Sequence, residues 1–199
     1  MTDQKRPYQM KRRAELEAET RLRITESAVA LHGTLGPART SISAIADHAG
    51  VRRSTVYRHF ADEAALFAAC SSHWRVANPR PELAEWRAIE DADERLCVAL
   101  TELYAYYRRT AGMLENLLRD EATVPTVRAT FSAFHAYLGD AADVLLRGRR
   151  RTKRVQAAIG HALAFATWRS LAREQGLDDT QAADLMRRLV EAALRDADD

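Results

Sequence analysis

The chain has 199 residues, of which 47% are hydrophobic and 29% charged, and its formal net charge is +2. That composition suits a soluble globular protein of one or two domains with a real core, rather than a chain disordered throughout. No apolar run approaches the roughly 20 residues of a membrane span. Residues 1–7 read Met-Thr-Asp-Gln-Lys-Arg-Pro and hold no hydrophobic signal core. A cytoplasmic location without membrane contact is therefore expected.

The charge is unevenly placed. Residues 1–60 carry 11 Lys and Arg against 6 Asp and Glu, and the remainder carries 19 against 22. A basic first part joined to a slightly acidic remainder points to a polyanion as partner of the first part alone. Cys70 and Cys97 lack metal-ligand spacing and read as buried free thiols in a reducing compartment. No Gly-rich phosphate loop, HExxH, nucleophile elbow or paired-carboxylate motif occurs, and the six histidines are scattered. No enzyme, cofactor or metal site is expected.

In chain order, residues 1–13 hold Pro7 and the Lys11-Arg12-Arg13 cluster without apolar periodicity. They read as a flexible basic arm, either a solvated tail or a segment that meets phosphates or the minor groove. A first helix is expected over residues 14–32, ended by Gly33 and Gly36-Pro37. Residues 40–66 then read as two short helices joined by a tight turn. Ile42, Ile45, Ala46 and Ala49 recur at i, i+3, i+4 and i+7. Ser41 can cap that helix, Gly50 supplies the left-handed turn, and Ala46 lets a second helix approach closely. On the second helix Val56 and Phe60 form the inner stripe. Arg53, Ser54, Thr55, Tyr57 and Arg58 make an outer face that is poor for packing and suited to phosphates and base edges. This is a helix-turn-helix, with the second helix as reader.

Farther on, Asp62 can cap a helix over residues 63–75 with Leu66, Phe67 and Cys70 inward. The run Asn78-Pro79-Arg80-Pro81 marks a domain boundary. A long helix is expected over residues 92–109, with Leu96, Ala99, Leu100, Leu103 and Tyr107 inward and Tyr104 beside them. Gly112 separates it from a short helix holding Met113, Leu114, Leu117 and Leu118. Pro125 opens another helix, whose stripe includes Val127, Phe131, Phe134 and Leu145, with His135 at its edge. The Arg149-Arg150-Arg151 run reads as a solvated loop. The last helices span residues 153–175, rich in small residues, and 179–196. Gly176 stops the first, and Asp178 with Gln181 forms a capping box for the second. The wide apolar stripe Ala182, Leu185, Met186, Leu189, Val190, Ala193 and Leu194 must bury against something.

The run Thr40–Val51 followed by Ser-Thr-Val-Tyr-Arg-His-Phe at 54–60 resembles the DNA-binding signature of TetR-family transcriptional regulators, over about residues 24–66. Ile45-Ala46, Ala49-Gly50-Val51 and Thr55 to Phe60 carry the likeness. At the start of the next helix, where the family often has a phosphate-touching Lys, this chain has Glu63. The resemblance implies an all-α fold: a helix-turn-helix domain over residues 14–75, with its motif at about 41–60, and a helical effector-binding and dimerisation domain over residues 76–199. It implies a homodimer formed through the last two helices on a double-stranded DNA operator. It also implies a repressor released by a small apolar or amphipathic effector. Ser41, Ser43, Arg53, Ser54, Thr55, Tyr57, Arg58 and His59 are the expected DNA contacts. Tyr104, Tyr107, Phe131, Phe134, His135, His161 and Trp168 are the candidate effector contacts. A protein-interaction module and a non-specific architectural DNA binder are the alternatives, with an enzyme behind both.

Overall fold

The computed structural model describes the backbone of residues 5–195 and the side chains of residues 9–195; among these every regular element is helical. In order they are α1 (Lys5–Thr34), α2 (Ile42–His48), α3 (Arg53–His59), α4 (Glu63–Ala77), α5 (Leu83–Ala88), α6 (Ala92–Asp120), α7 (Pro125–Leu145), α8 (Lys153–Leu163), α9 (Phe165–Arg169) and α10 (Asp179–Arg195). Two compact units emerge. The first runs to Ala77 and also takes Gly112–Thr130; the second takes Asn78–Ala111 and the chain from Phe131. The segment 112–130, assigned from sequence to the second domain, thus belongs with the first unit. No described helix is long and apolar enough to cross a membrane.

In the first unit, α1 begins at Lys5 rather than at residue 14; residues 1–4 of the expected arm lie outside the described residues. Every side chain from Gln9 to Glu19 is exposed, so this stretch has no buried face and leaves no apolar period. Good helix formers such as Ala14, Glu15, Leu16 and Glu17 carry it instead. The second half of α1 is amphipathic. Ile24 and Ala28 are fully buried in a cluster with Ile42, Ile45, Ala46, Ala49, Val56, Phe60, Leu66, Phe67, Cys70 and Val127.

Gly112 does not break the helix: α6 runs through it, and its Cβ position would stand 3.6 Å from the Gly33 carbonyl of α1. A polar latch follows. Asn116 Nδ2 donates to the carbonyls of His32 (3.0 Å) and Gly33 (2.8 Å). Arg119 donates to Leu35 O at 3.0 Å and to Asn116 Oδ1 at 2.8 Å. Asp120 Oδ2 accepts the Ala38 N–H at 2.9 Å. Burial pushes the Asp120 carboxyl up, but the hydrogen bonds from Arg119 and Ala38 outweigh it and hold the group below its ordinary range. Gly36 (φ +93°) makes this possible, because a Cβ there would fall 2.0 Å from Arg119 Nη2. Helix-end carbonyls that would otherwise be orphaned are thereby satisfied.

The second unit packs Trp86, Leu96, Leu100, Leu103, Ile159 and Val190 at essentially no exposure. The hexapeptide α5, too short to show a period, was not anticipated; Trp86 on it donates from Nε1 to Glu102 at 2.7 Å. The arginine run after α7 is only partly solvated. Arg149, 3% exposed, donates to Ala92 O at 2.6 Å and to Asp93 at 2.7 Å. Buried Arg95 holds the carbonyls of Ile89 and Arg147. Arg151 stays exposed beside Asp143. Cys70 is buried as expected, but Cys97 is exposed.

The helix expected over residues 153–175 is interrupted. Ala164 is extended (φ −71°, ψ 133°), α9 restarts at Phe165, and Ser170–Glu174 form a wider turn closed by Gln175 N–H to Ser170 O at 3.0 Å. The capping box of α10 forms reciprocally, with Gln181 N–H to Asp178 Oδ1 at 2.8 Å and Asp178 N–H to Gln181 Oε1 at 3.1 Å.

Candidate nucleic-acid interface

Local chemistry builds the helix-turn-helix. Ser41 accepts the Ala44 N–H at 3.1 Å and starts α2. Gly50 takes φ +64°, and the Val51 N–H returns to Ala46 O at 2.9 Å to close the turn. Asp62 caps α4 by accepting the Ala65 N–H at 2.7 Å. Buried Ile42, Ile45, Ala46, Val56 and Phe60 pin both helices on one core, so the opposite side of α3 must face solvent.

That side is the expected one. Ser41, Ser43, Arg53, Ser54, Tyr57 and Arg58 are exposed, and Thr55 is half-buried. Arg53 Nη2 donates to the Tyr57 hydroxyl at 3.3 Å, which raises the guanidinium further above its ordinary pKa. Its Cζ stands 5.6 Å from the Tyr57 ring centre. The two side chains form a preorganised pair on the first and second turns of α3. The His59 ring does not join this row. It is half-buried, its Nε2 is enclosed without a hydrogen-bond partner, and burial followed by the Arg58 charge lowers its pKa. Glu63, the first residue of α4, is exposed, and its charge reaches Arg53.

Two residues that position this surface were missed. Arg21 of α1 donates to the His59 carbonyl and lays its guanidinium 4.1 Å over the Phe60 ring. Arg23 donates to Ala49 O at 3.0 Å. Each secures the last carbonyls of a short helix, Arg23 for α2 and Arg21 for α3. The only sequence signal was two arginines beside an apolar stripe, which solvent exposure explains equally well.

The candidate effector residues separate into two groups in the second unit. Tyr104 and Tyr107 are fully buried, and their hydroxyls donate to Ala162 O at 2.9 Å and Leu163 O at 2.6 Å. These are the carbonyls left at the end of α8 by the break at Ala164. Trp168 is also fully buried; Nε1 donates to Asp179 at 2.9 Å, and Asp179 accepts both arms of Arg108 at 2.6 and 2.8 Å. These three side chains are committed to holding the α8–α9 corner. Phe131 and Phe134 pack 5.0 Å apart, with the exposed His135 ring edge-on to Phe131 at 5.3 Å. His161 is exposed on α8 and lies 3.2 Å from the Thr167 hydroxyl.

Residues 24–70 match the model of the bacterial regulatory proteins of the tetR family. No curated protein matches the chain. Among solved structures, a Mesorhizobium loti protein assigned as a TetR-family transcriptional regulator superposes with a TM-score of 0.63 at 21% identity, over 90% of this chain and 96% of that one. A TetR-like regulator from Rhodococcus gives 0.65 at 21%, covering 88% and 96%. A Clostridium perfringens protein assigned as a fatty acid metabolism regulator gives 0.63 at 16%, covering 86% and 97%. Residues 24–70 thus carry the DNA-binding domain of the bacterial regulatory proteins of the tetR family, in a chain whose fold is that of solved TetR-like regulators.

Proposed function

We propose that the chain is a homodimeric repressor that reads a near-palindromic operator through two copies of α3 and leaves it when a small apolar or amphipathic molecule binds the second unit. Arg53, Ser54, Thr55 and Arg58 read base edges or the phosphates beside them, and Ser41, Ser43 and Tyr57 anchor the backbone. The observation that carries this reading is the polar outer face of α3, exposed by burial of Val56 and Phe60 and steadied by Arg21. Regulators with this DNA-binding domain bind operators as dimers, which supports the reading.

Dimerisation through α8 and α10 has its own support. Leu185 and Leu189 of α10 are 45% and 41% exposed, one turn apart. On α8 the exposed residues Ala157, Gly160 and His161 form a small-sided face. A second copy can approach closely there and cover both leucines. Phe131, Phe134, His135 and His161 remain the candidate effector contacts, and an amphipathic effector draws support from neighbours named as fatty acid regulators. Release is a shift between two spacings of the reading heads, which needs an effector that prefers one of them.

The test is fluorescence anisotropy on DNA from upstream of the chain's own gene, with excess unrelated competitor and a salt series. Saturable binding by two chains per site that survives competitor supports the reading. Binding lost to competitor would favour a non-specific architectural role, and no binding at low salt would favour a protein-interaction module.

A further inference from the structure

The basic extension of α1 has no place in the reading above, on which this inference rests. We propose that it is a second DNA-contacting element: a helical spur whose Lys11 and Arg13 meet backbone phosphates beyond those within reach of α3.

Three observations converge. First, the segment is helical from Lys5 and exposes every side chain from Gln9 to Glu19, so it serves no packing role in this unit. Second, the sequence before Glu15 holds Lys5, Arg6, Lys11, Arg12 and Arg13 against one acid, Asp3. A solvent-exposed helix of that sign complements phosphate, and its contacts release counterions. Third, the spur is tied to the reading head. Arg21 grips the C-terminal end of α3, and the Glu17 charge reaches His59. Lys11 and Arg13 lie eight to ten residues before Arg21, which carries them roughly 12–15 Å past that end at 1.5 Å per residue.

The helical wheel makes the proposal specific. At about 100° per residue, Lys11 and Arg13 flank the Arg21 line, each about 80° from it and about 160° from each other, so that their long side chains straddle it, whereas Arg12 falls opposite. Arg13 pairs with Glu17 at 3.2 Å, but this pair is exposed, 83% and 56%, and yields easily to a phosphate. A protein partner fits less well. The exposed apolar residues Met10 and Leu16 are about 120° apart on the wheel and make no stripe for a second helix.

The experiment compares salt slopes of operator binding by the full chain, Lys11→Gln/Arg13→Gln and Arg12→Gln, with thermal melts as a folding control. All three should melt alike. Loss of two phosphate contacts per chain should make the double variant's slope shallower by about 3 to 4 for a bound dimer, while Arg12→Gln moves it by less than about 1. Phosphate-ethylation interference should lose positions at the edge of the site in the double variant only. An unchanged slope in the double variant, or equal effects of Arg12→Gln, would overturn the spur while leaving the α3 reading intact. Absence of salt-dependent binding by the unaltered chain would overturn that reading and the spur together.

Discussion

The Arg21 guanidinium lies 4.1 Å over the Phe60 ring while it donates to the carbonyl of the neighbouring His59. One side chain of α1 thus fixes both the inward anchor of α3 and its last turn. A helix of seven residues is too short to be stable alone, so its orientation depends on such braces.

Arg21→Ala is expected to weaken operator binding about three- to tenfold and to lower Tm by about 2–4 °C, consistent with about 1 kcal/mol for an exposed cation–π contact. Because Arg21 positions α3 rather than touching phosphate, the salt slope should stay near that of the unaltered chain. Anisotropy across a salt series and a thermal melt check both; a slope reduced by about 1 per chain would reassign Arg21 as a direct phosphate contact.

On α3, the proposed reader, Arg58→Ala should cost operator affinity by about 1–3 kcal/mol. Tyr57→Phe should cost less, because it removes one hydroxyl, which orients Arg53 at 3.3 Å and anchors the backbone, and leaves every positive charge of α3 in place. Titration of both variants on the same operator decides the matter: unchanged affinity in the pair would remove this face from the interface.

Stability should respond to acid through His32. Burial, opposed by the nearby Asp120 charge, lowers its pKa from 6.5 to about 4, and the ring packs 5.4 Å from Phe67. The unfolded chain therefore takes up a proton near pH 6.5 that the folded chain refuses until about 4. Stability is full above pH 6.5 and declines as pH falls to about 4, by up to about 3 kcal/mol. Asp120, held below its ordinary range, adds a further loss at still lower pH. Denaturant midpoints of the chain and of His32→Phe between pH 4 and 7 should converge toward the acid end.

Tyr107→Phe should cost about 1–3 kcal/mol of stability, since the Leu163 carbonyl it serves at 2.6 Å would be left buried without a donor. Chemical denaturation measures this directly. Full retained stability with altered effector affinity would return Tyr107 to the ligand site.

Leu185→Arg with Leu189→Arg should give a monomer in sedimentation where the unaltered chain gives the proposed dimer, and should abolish high-affinity operator binding, while the monomer keeps its helical circular dichroism. A dimer that survives both changes would move the interface away from α10.

The sequence was most legible where its signals are local. Ile42, Ile45, Ala46, Val56 and Phe60 announce α2 and α3 by period, and Ser41, Gly50, Asp62 and the Asp178–Gln181 box mark ends of α2, α4 and α10 within a few residues. What was missed depends on partners far along the chain. The break at Ala164 is completed by tyrosines 56 and 58 positions away. Arg149 is buried because Ala92, 57 positions earlier, offers its carbonyl. The start of α1 was missed for the opposite reason: a helix exposed on all sides has no period to read. Gly112 looked like a stop, but a glycine where two helices pass closely is also a way through.

Many of the braces within the first unit end on main-chain atoms. Arg21 and Arg23 grasp carbonyls of His59 and Ala49; Asn116 and Arg119 grasp those of His32, Gly33 and Leu35; Asp120 takes the amide of Ala38. A carbonyl is the same whatever side chain its residue carries. The scaffold is therefore largely blind to the lettering of α3, whose outer residues could be exchanged, one operator for another, without renegotiating the frame that presents them.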